Sequence, residues 1–291
     1  MFKIQKKLIV SIIIVLLFVI MISDLRINGI DVFEDYFRQM ETDSIRNIHF
    51  GEGSLNYSGQ RIEETKTDTV NLGPEVSGLS INNRAGSIKV KGEKREDISL
   101  EYKVIVFTEK KEIGEEIIDS IIVAKRTVED RLIMELKGGD SSNLPEGING
   151  VIIEYRLRVP DHLFLDLENR YGELNVSDIN ENIRLGNYYD RMSVRNIYGD
   201  AEIFGRYGAT SINNIQGSLD LDTRYNSVNV DTVEKNINLT ADYGQAKMVN
   251  VGGPADIEYS YGSLEFNDIR GEIRLDSKYT QIRGTASPGP Y

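Results

Sequence analysis

Seven tyrosines in the second half of the chain recur at one fixed interval, and this interval limits the fold more than any other feature. Consecutive members are 18 residues apart, without insertions: Tyr171, Tyr189, Tyr207, Tyr225, Tyr243, Tyr261 and Tyr279. A short repeat of constant length is the mark of a solenoid, in which each coil contacts only its neighbours. The sequence therefore predicts regular 18-residue coils over residues 161–291.

The pattern within each repeat is that of β-strands. With tyrosine counted as position 1, positions 4 and 6, and again 13 and 15, are mostly apolar with polar residues between them, as in Leu219-Asp220-Leu221. Period two marks a strand with one buried face. Glycine is frequent at positions 2 and 11, where it permits sharp turns. We therefore predict a mainly β protein, a parallel β-solenoid whose coils each hold two strands and close into a flattened tube.

Two other coils of similar length are excluded by the repeat. A left-handed hexapeptide helix needs an aliphatic residue every sixth position, but position 3 holds Glu173 and Arg191. Calcium-binding β-rolls need repeated Gly-Gly-x-Gly-x-Asp turns, which are absent from the sequence. Position 8 instead predicts a hydrogen-bonded ladder along one turn. Its members are Asp178, Asn196, Asn214, Thr232, Asn250 and Asp268.

Charge and cysteine content narrow the classes of function. The 291 residues carry a net charge of −12 and contain no cysteine. Residues 1–23 hold three lysines and no acid, which leaves −15 for the rest of the chain. An acidic body without a basic stripe argues against binding of nucleic acid or of anionic lipid surfaces. The lack of cysteine excludes disulfide bonds.

The amino terminus has the features of an export signal. An apolar run at residues 8–22, interrupted only by Ser11, follows Lys3, Lys6 and Lys7. We predict a signal anchor, a transmembrane helix, over residues 1–24, with the amino terminus in the cytoplasm and the body outside. A secreted protein, released by cleavage, is the alternative, although Met21-Ile22-Ser23 makes a poor cleavage site.

Residues 25–75 are predicted to be a juxtamembrane helix and a polar linker. The helix, at residues 31–40, places Phe33, Tyr36, Phe37 and Met40 on one face. This face fits the membrane interface, the first coil of the solenoid or a partner about equally well. Within the linker, only residues 69–72 have the pattern of a strand.

The middle of the chain departs from the regular repeat. Residues 76–102 are predicted to be a first coil, with Ala85-Gly86 in the place of Tyr-Gly. Residues 103–160 are predicted to be an α/β excursion. It would contain a helix at residues 109–121 with Thr108 as its N-cap, and further strands at residues 131–136 and 151–159.

The order of these parts resembles a known family. A short coil ending in Gly-x-Φ-x-Φ (Φ, apolar) and an α/β excursion are followed by Arg158-Val159-Pro160, Leu165-Asp166-Leu167 and repeated Gly-x-Φ-x-Φ turns. Over about residues 79–284 the chain resembles the bacterial putative-adhesin domains of unknown function. The resemblance implies a secreted or membrane-anchored parallel β-solenoid with a cell-envelope role, and it brings no catalytic residues with it.

Residues that would carry catalysis are sparse. The two histidines, His49 and His162, have no catalytic partner near them in sequence. The acids at position 14, such as Asp220 and Asp256, share an outward-facing column with Arg184 and Arg274, and a column of mixed charge is typical of a solvated strand face with cross-strand pairs. We predict no enzyme, no catalytic residue, no cofactor and no metal site.

The tyrosine column is the feature that has two interpretations. Stacked coils bring like residues about 4.8 Å apart. The rings would then either stack and seal a corner of the tube, or form an exposed strip that stacks on sugars. Continuing the alternation from position 13 through position 17 brings position 1 to the inner side, which favours a structural ladder over a ligand strip.

Three functions are consistent with the sequence. The first is a non-enzymatic, membrane-anchored adhesin-like solenoid, whose surface binds envelope polysaccharide or a surface protein. The second is a structural or signalling element of the cell envelope. The third is a polysaccharide-degrading β-helix enzyme, but such enzymes build clefts from long loops, and the repeats from Tyr171 to Lys278 contain no insertion. The first is favoured because the coils are long, regular and rich in polar outward positions.

Overall fold

The alternating pattern becomes β-strand through most of the chain. A computed structural model describes residues 58–138 and 144–286. Its strands are β1 (Gln60–Asn71), β2 (Gly78–Ala85), β3 (Ile88–Glu93), β4 (Asp97–Thr108), β5 (Ile122–Val128), β6 (Arg131–Lys137), β7 (Ile148–Pro160), β8 (Phe164–Tyr171), β9 (Leu174–Ile179), β10 (Ile183–Tyr188), β11 (Arg191–Ile197), β12 (Ala201–Arg206), β13 (Ala209–Ile215), β14 (Leu219–Arg224), β15 (Ser227–Val233), β16 (Ile237–Val251), β17 (Ala255–Ile269) and β18 (Ile273–Ala286). Helix α1 (Lys111–Ile118) lies between β4 and β5.

Two parallel sheets form the predicted solenoid. The first sheet contains β2, β8, β10, β12, β14 and the amino-terminal halves of β16, β17 and β18. The second contains β3, β9, β11, β13, β15 and the carboxyl-terminal halves of the same three long strands. In the regular coils the register pairs each residue with the one 18 positions later, as for Ile203 and Leu221. The prediction of a mainly β protein with a parallel β-solenoid is confirmed, with about seven turns.

The interior of the tube is built from the apolar columns. Position 9 is fully buried in every described coil: Ile179, Ile197, Ile215, Val233, Val251 and Ile269 are all 0% exposed. Positions 6 and 15 are also buried in the central coils, for example Val194 and Leu221. Each fully buried aliphatic side chain contributes about 1.5–3 kcal/mol, so the same stabilising contact is repeated along the whole solenoid.

The hydrogen-bonded ladder predicted at position 8 is confirmed for its first three members. The side-chain amide of Asn196 donates to the carboxylate of Asp178 at 2.8 Å, and that of Asn214 donates to the amide oxygen of Asn196 at 3.0 Å. All six residues of this column have positive φ, between 54° and 68°. Asparagine and aspartate tolerate this left-handed conformation better than most residues, which explains their recurrence at the turn.

The α/β excursion covers the first coil. Strand β6 pairs in parallel with β2, and β7 pairs in parallel with β3, so both sheets of the solenoid continue into the excursion. Strand β7 also pairs antiparallel with β4. Helix α1 is shorter than the predicted range of residues 109–121, and its N-cap is Lys110 rather than Thr108. The Thr108 hydroxyl instead lies 2.8 Å from the Lys110 carbonyl and 3.0 Å from the Gly147 carbonyl and shares its one proton between them.

The segment predicted to be a polar linker holds a strand much longer than the one expected at residues 69–72. Strand β1 runs for 12 residues antiparallel to β4. The less exposed side of β1 carries Glu64, Lys66 and Asp68 between Ile62 and Val70, so its alternation is weak on an apolar scale. The Lys66 ammonium donates to the carbonyls of Ile118 and Ile121 at 2.9 and 3.1 Å, beside the end of α1, where a cation is favoured.

The expectations for the amino terminus fall outside the described residues. These are the signal anchor over residues 1–24, the helix at residues 31–40 and His49. Within residues 58–138 and 144–286, no helix combines the length and the apolar character that a membrane crossing requires.

A buried acid should distinguish the inward columns from the outward ones. Ile203 is 1% exposed, whereas Ser211 is exposed on the second sheet. We expect Ile203→Asp to lower the free energy of unfolding by more than about 4 kcal/mol, because an unpaired carboxyl group would enter the apolar interior. The control Ser211→Asp should change it by about 0.5 kcal/mol or less. Chemical denaturation measures both, and similar losses would contradict the assignment of the columns.

Candidate functional site: the tyrosine ladder

The seven tyrosines stack ring on ring along the solenoid. The six successive pairs have centroid distances between 4.8 and 5.1 Å and interplanar angles between 3° and 16°. This spacing follows the separation of hydrogen-bonded strands, about 4.8 Å. We call this column the tyrosine ladder.

The ladder lies on the outside of one corner, so the prediction that position 1 points inward is wrong. Tyr207, Tyr225, Tyr243 and Tyr261 are 40–43% exposed, and Tyr279 is 81% exposed. The alternation does hold as far as position 17, where Thr223 and Tyr259 are 2% exposed. It is broken at position 1 because these tyrosines adopt positive φ, between 50° and 66° from Tyr189 onward. A left-handed residue turns the chain and carries its side chain away from the interior.

Along the middle of the ladder, the faces of the rings are occupied. Tyr225, for example, has Tyr207 at 5.1 Å on one side and Tyr243 at 4.8 Å on the other. A sugar therefore has no free ring face to stack on there. What a ligand meets is a row of ring edges and phenolic hydroxyls. Whether the ladder binds a ligand stays a prediction.

Partial burial changes the titration of the ladder. Burial, reinforced by the neighbouring Tyr207, raises the pKa of the Tyr189 hydroxyl to about 12. Burial also raises the pKa of Tyr225, with smaller contributions from Tyr243 and Tyr207. Both effects disfavour the ionised form, so the hydroxyls of Tyr189 and Tyr225 remain protonated donors and acceptors across the physiological range.

Ion pairs line one side of the ladder. The Arg206 guanidinium bonds the Asp222 carboxylate at 2.9 Å and the Asp222 carbonyl at 2.9 Å. In the next coil, Arg224 lies 3.3 Å from Asp242. These side chains are only 21–36% exposed. Each pair joins the arginine at position 18 of one coil to an aspartate of the following coil, at position 16 for Asp222 and at position 18 for Asp242. The sequence analysis did not predict these pairs.

The upper end of the ladder opens into a groove. Ala85 of the first coil is the register partner of Tyr171, so among the described residues no ring continues the stack on that side. The groove has a volume of about 310 Å³ and is open to solvent. Its lining includes Gly86, Ser87, Lys89, Glu154, Tyr171 and Glu173. We call this feature the head groove. The sequence signal for it was Ala85-Gly86 in the Tyr-Gly place.

Buried asparagines hold the turns beneath the head groove. Asn83 and Asn169 are 4% and 0% exposed, and Asn83 donates to the Asn169 side-chain oxygen at 3.0 Å. Asn83 also donates to the Gly86 carbonyl at 3.2 Å, and Asn169 donates to the Gly172 carbonyl at 2.7 Å. In these two coils it is glycine that has positive φ, 108° at Gly86 and 141° at Gly172. A Cβ at Gly172 would collide with the Gly86 carbonyl, so the two turns need glycine to pack this closely.

Among the described residues, His162 and the column at position 14 are not brought together into a site. His162 has a 67% exposed side chain, 3.8 Å from Asp161. The cross-strand pairing expected at position 14 is present at one step, where Arg184 lies 3.6 Å from Glu202. Among the described residues, no group of three or more histidine, aspartate or glutamate side chains is placed to hold a metal ion.

Comparison with known proteins gives structural matches alone. No family model and no curated protein matches the chain. A putative adhesin from Parabacteroides distasonis aligns at 9% identity and a TM-score of 0.40, over 77% of this chain and 96% of that chain. A putative lipid binding protein from the same organism aligns at 11% identity and a TM-score of 0.40, over 77% and 95%. A putative adhesin from Parabacteroides merdae aligns at 11% identity and a TM-score of 0.35, over 77% and 95%.

The names of these structures include the class that the sequence resembles. Putative adhesins occur among them, as the order of parts in this chain led us to expect. Similarity at this level of identity and TM-score says nothing about the ligand of this chain.

Stacking should make the central tyrosines important for stability. Tyr225 contacts a ring on each side, whereas Tyr279 stacks on Tyr261 and is 81% exposed. Both have φ near 50°, so backbone strain is matched between them. We expect Tyr225→Ala to lower the free energy of unfolding by about 2 kcal/mol and Tyr279→Ala by about 1 kcal/mol or less. Thermal or urea unfolding measures this, and equal losses would contradict stabilisation by stacking.

The raised pKa of Tyr189 predicts a loss of stability at alkaline pH. The unfolded phenol ionises near pH 10, whereas the pKa of Tyr189 in the fold is about 12. Its contribution to stability is therefore complete below pH 10 and is lost as the pH rises through 12. In an absorbance titration at 295 nm, Tyr189→Phe should remove one phenol from the step near pH 12. An unchanged step would show that Tyr189 titrates normally.

Proposed function

We propose that this chain is a non-enzymatic, adhesin-like protein of the cell envelope that binds its ligand along the tyrosine ladder. The observation that carries the proposal is the exposure of the ladder. Four consecutive tyrosines of the ladder, from Tyr207 to Tyr261, lie outside the apolar interior and are each 40–43% exposed. A contiguous aromatic strip on a protein surface is typical of an interaction site.

The ladder has the properties of an efficient contact surface. Tyrosine combines a large apolar ring with a hydroxyl that both donates and accepts, and it is enriched where proteins bind their partners. Here each central ring is held by stacking on both sides, and the backbone N–H of Tyr225 donates to the Asp242 carbonyl of the next coil at 2.9 Å. Little conformational entropy is therefore lost when a ligand binds. With steps of 4.8–5.1 Å, the ladder offers a rigid strip about 30 Å long.

The proposal includes a location and a class of partner. The basic and apolar residues 3–22 would act as an uncleaved signal anchor, with the solenoid outside the cytoplasm. Partners would then be the membrane, through this anchor, and an envelope polysaccharide or a surface protein, through the ladder. The net charge of −12 supports neither nucleic acid as a partner nor an anionic lipid surface as one. The proposal requires no cofactor.

A structural or signalling role is the second candidate, and the stacking itself favours it. Rings separated by about 5 Å stabilise the corner whether or not anything binds to it. The two candidates differ in what the hydroxyls do. A scaffold needs the ring faces, whereas a binding strip along the middle of the ladder also needs the exposed hydroxyl edge.

Replacing hydroxyls while keeping rings separates the two roles. The triple variant Tyr207→Phe, Tyr225→Phe, Tyr243→Phe retains the stack, so its melting temperature should stay close to that of the parent. We expect its binding to immobilised cell-envelope fractions and to a glycan array to fall at least about tenfold, because three surface hydrogen bonds are lost. Binding is measured with the full chain in a mild detergent.

A matched control removes three polar groups from another surface. The control variant combines three substitutions in register on the outer face of the second sheet: Ser193→Ala, Ser211→Ala and Asn229→Ala. This variant should bind like the parent. If the triple phenylalanine variant binds as tightly as the parent, or if the parent binds nothing on either panel, the ladder is a scaffold and the proposed binding function fails.

A further inference from the structure

We infer that the head groove is a carbohydrate site, in which one pyranose ring stacks on the open face of Tyr171. The inference rests on the proposed function, because it names the ligand class at one end of the same ladder. It uses a different part of the tyrosine, however. The middle of the ladder offers hydroxyl edges, whereas the head groove offers a ring face.

The open face follows from the interruption of the repeat. Tyr171 stacks on Tyr189 at 5.0 Å and 13° on one side. On the other side its register partner is Ala85, a buried residue without a ring, and Tyr171 lines the head groove. An aromatic face without a partner can accept the C–H groups of a sugar ring, as it accepts other positively polarised hydrogens.

The opposite end of the ladder does not offer the same site. Tyr279 also has a ring neighbour on one side, Tyr261 at 5.1 Å. Its side chain is 81% exposed, so a sugar stacked there would leave most of its own surface in water. The head groove, by contrast, has walls from the first coil and from β7. A ligand in it would be contacted on more than one side, as in other small-molecule sites.

The walls carry the groups that recognise hydroxyls. The Lys89 ammonium is a donor, the Glu154 carboxylate is an acceptor and the Ser87 hydroxyl is both. Glu173 adds a second carboxylate, which lies 3.8 Å from the Arg191 guanidinium. Ile152 contributes an apolar contact. Charges of both signs with a free aromatic face suit an uncharged polyhydroxylated ring better than a phosphate or a fatty acid.

The floor of the groove is fixed before any ligand arrives. Asn83 donates to the carbonyls of Gly86 and Ile153, both at 3.2 Å, which ties the first coil to β7. Asn169 ties the next turn through the Gly172 carbonyl at 2.7 Å. Both asparagines are buried. Their hydrogen bonds fix the turn at Gly86 in the first coil and the turn at Gly172 that follows Tyr171. A preorganised groove loses little entropy on binding.

The size of the groove limits the ligand to one sugar ring at a time. Its volume of about 310 Å³ is at the lower end of the range for ligand sites, about 300–1,000 Å³. Because the groove is open, a longer glycan could continue into solvent or along the ladder. For a single pyranoside, a dissociation constant of roughly millimolar is expected from the small number of atoms that make contact.

Saturation-transfer NMR with simple glycosides tests the inference. The full chain, in a detergent without a sugar headgroup, is mixed with methyl pyranosides of glucose, galactose, mannose and N-acetylglucosamine. At least one should receive saturation at the C–H protons of one ring face. Tyr171→Phe keeps the aromatic face and should bind within about twofold of the parent. Tyr171→Ala should lose at least about tenfold in affinity.

Two further variants control for indirect effects. Tyr198→Ala removes a 49% exposed tyrosine outside the ladder and should leave sugar binding unchanged. Glu154→Gln should weaken binding several-fold without lowering the melting temperature. The inference is overturned if no pyranoside receives saturation from the parent, if Tyr171→Ala binds like the parent, or if Tyr198→Ala loses as much as Tyr171→Ala.

The outcome is distinguishable from that of the proposed function. The triple phenylalanine variant keeps Tyr171 and its walls, so saturation of the pyranoside should persist in it. Loss of envelope binding in the triple variant, together with unchanged sugar binding in Tyr171→Ala, refutes the head groove alone. Loss of sugar binding in Tyr171→Ala, together with unchanged envelope binding in the triple variant, refutes the strip along the ladder instead.

Discussion

The parallel register of the coils is the constraint on which the rest of this structure depends. Paired strand residues in the central coils are 18 positions apart, so like side chains face each other at the spacing of hydrogen-bonded strands. Interior positions therefore become aliphatic columns, and at position 8 the side chains of Asp178, Asn196 and Asn214 form a hydrogen-bonded row. Any side chain placed in the repeat acts as a member of a column.

The tyrosine ladder shows how a column can offset local strain. A left-handed backbone costs a residue with a side chain about 1–2 kcal/mol, and six tyrosines adopt it. Stacking with a ring on each side returns about 0.5–1.5 kcal/mol per pair beyond the burial of apolar surface. An isolated tyrosine at such a turn would be unfavourable, whereas a column of them is stable. The same turn leaves the ring edges and hydroxyls in solvent, where a partner can reach them.

The side chains and backbone conformations that differ from those of the regular coils lie where the repeat is interrupted, at the first coil. Inside a regular column every ring face has a neighbour, so only the ends of the column present a face. At the upper end, Ala85 replaces the ring, glycine takes over the positive φ and buried asparagines fix the turns. The excursion then places β7 beside this gap. The head groove therefore lies at the junction between the solenoid and the α/β excursion, and its lining contains residues from both.

The sequence by itself determined the solenoid, its two strands per coil, its apolar columns and the hydrogen-bonded turn at position 8. This was possible because the same apolar pattern recurs in successive repeats, and several repeats together identify a strand that a single one would leave ambiguous. The tertiary structure decided the side on which the tyrosines lie, since one positive φ at position 1 reverses what alternation predicts. It also decided the pairing of β1 with β4 and the assembly of Lys89, Glu154 and Tyr171 around one groove. The pairing of β1 with β4 and the head groove each occur once and join residues far apart in the chain. A periodic pattern in the sequence therefore cannot predict them.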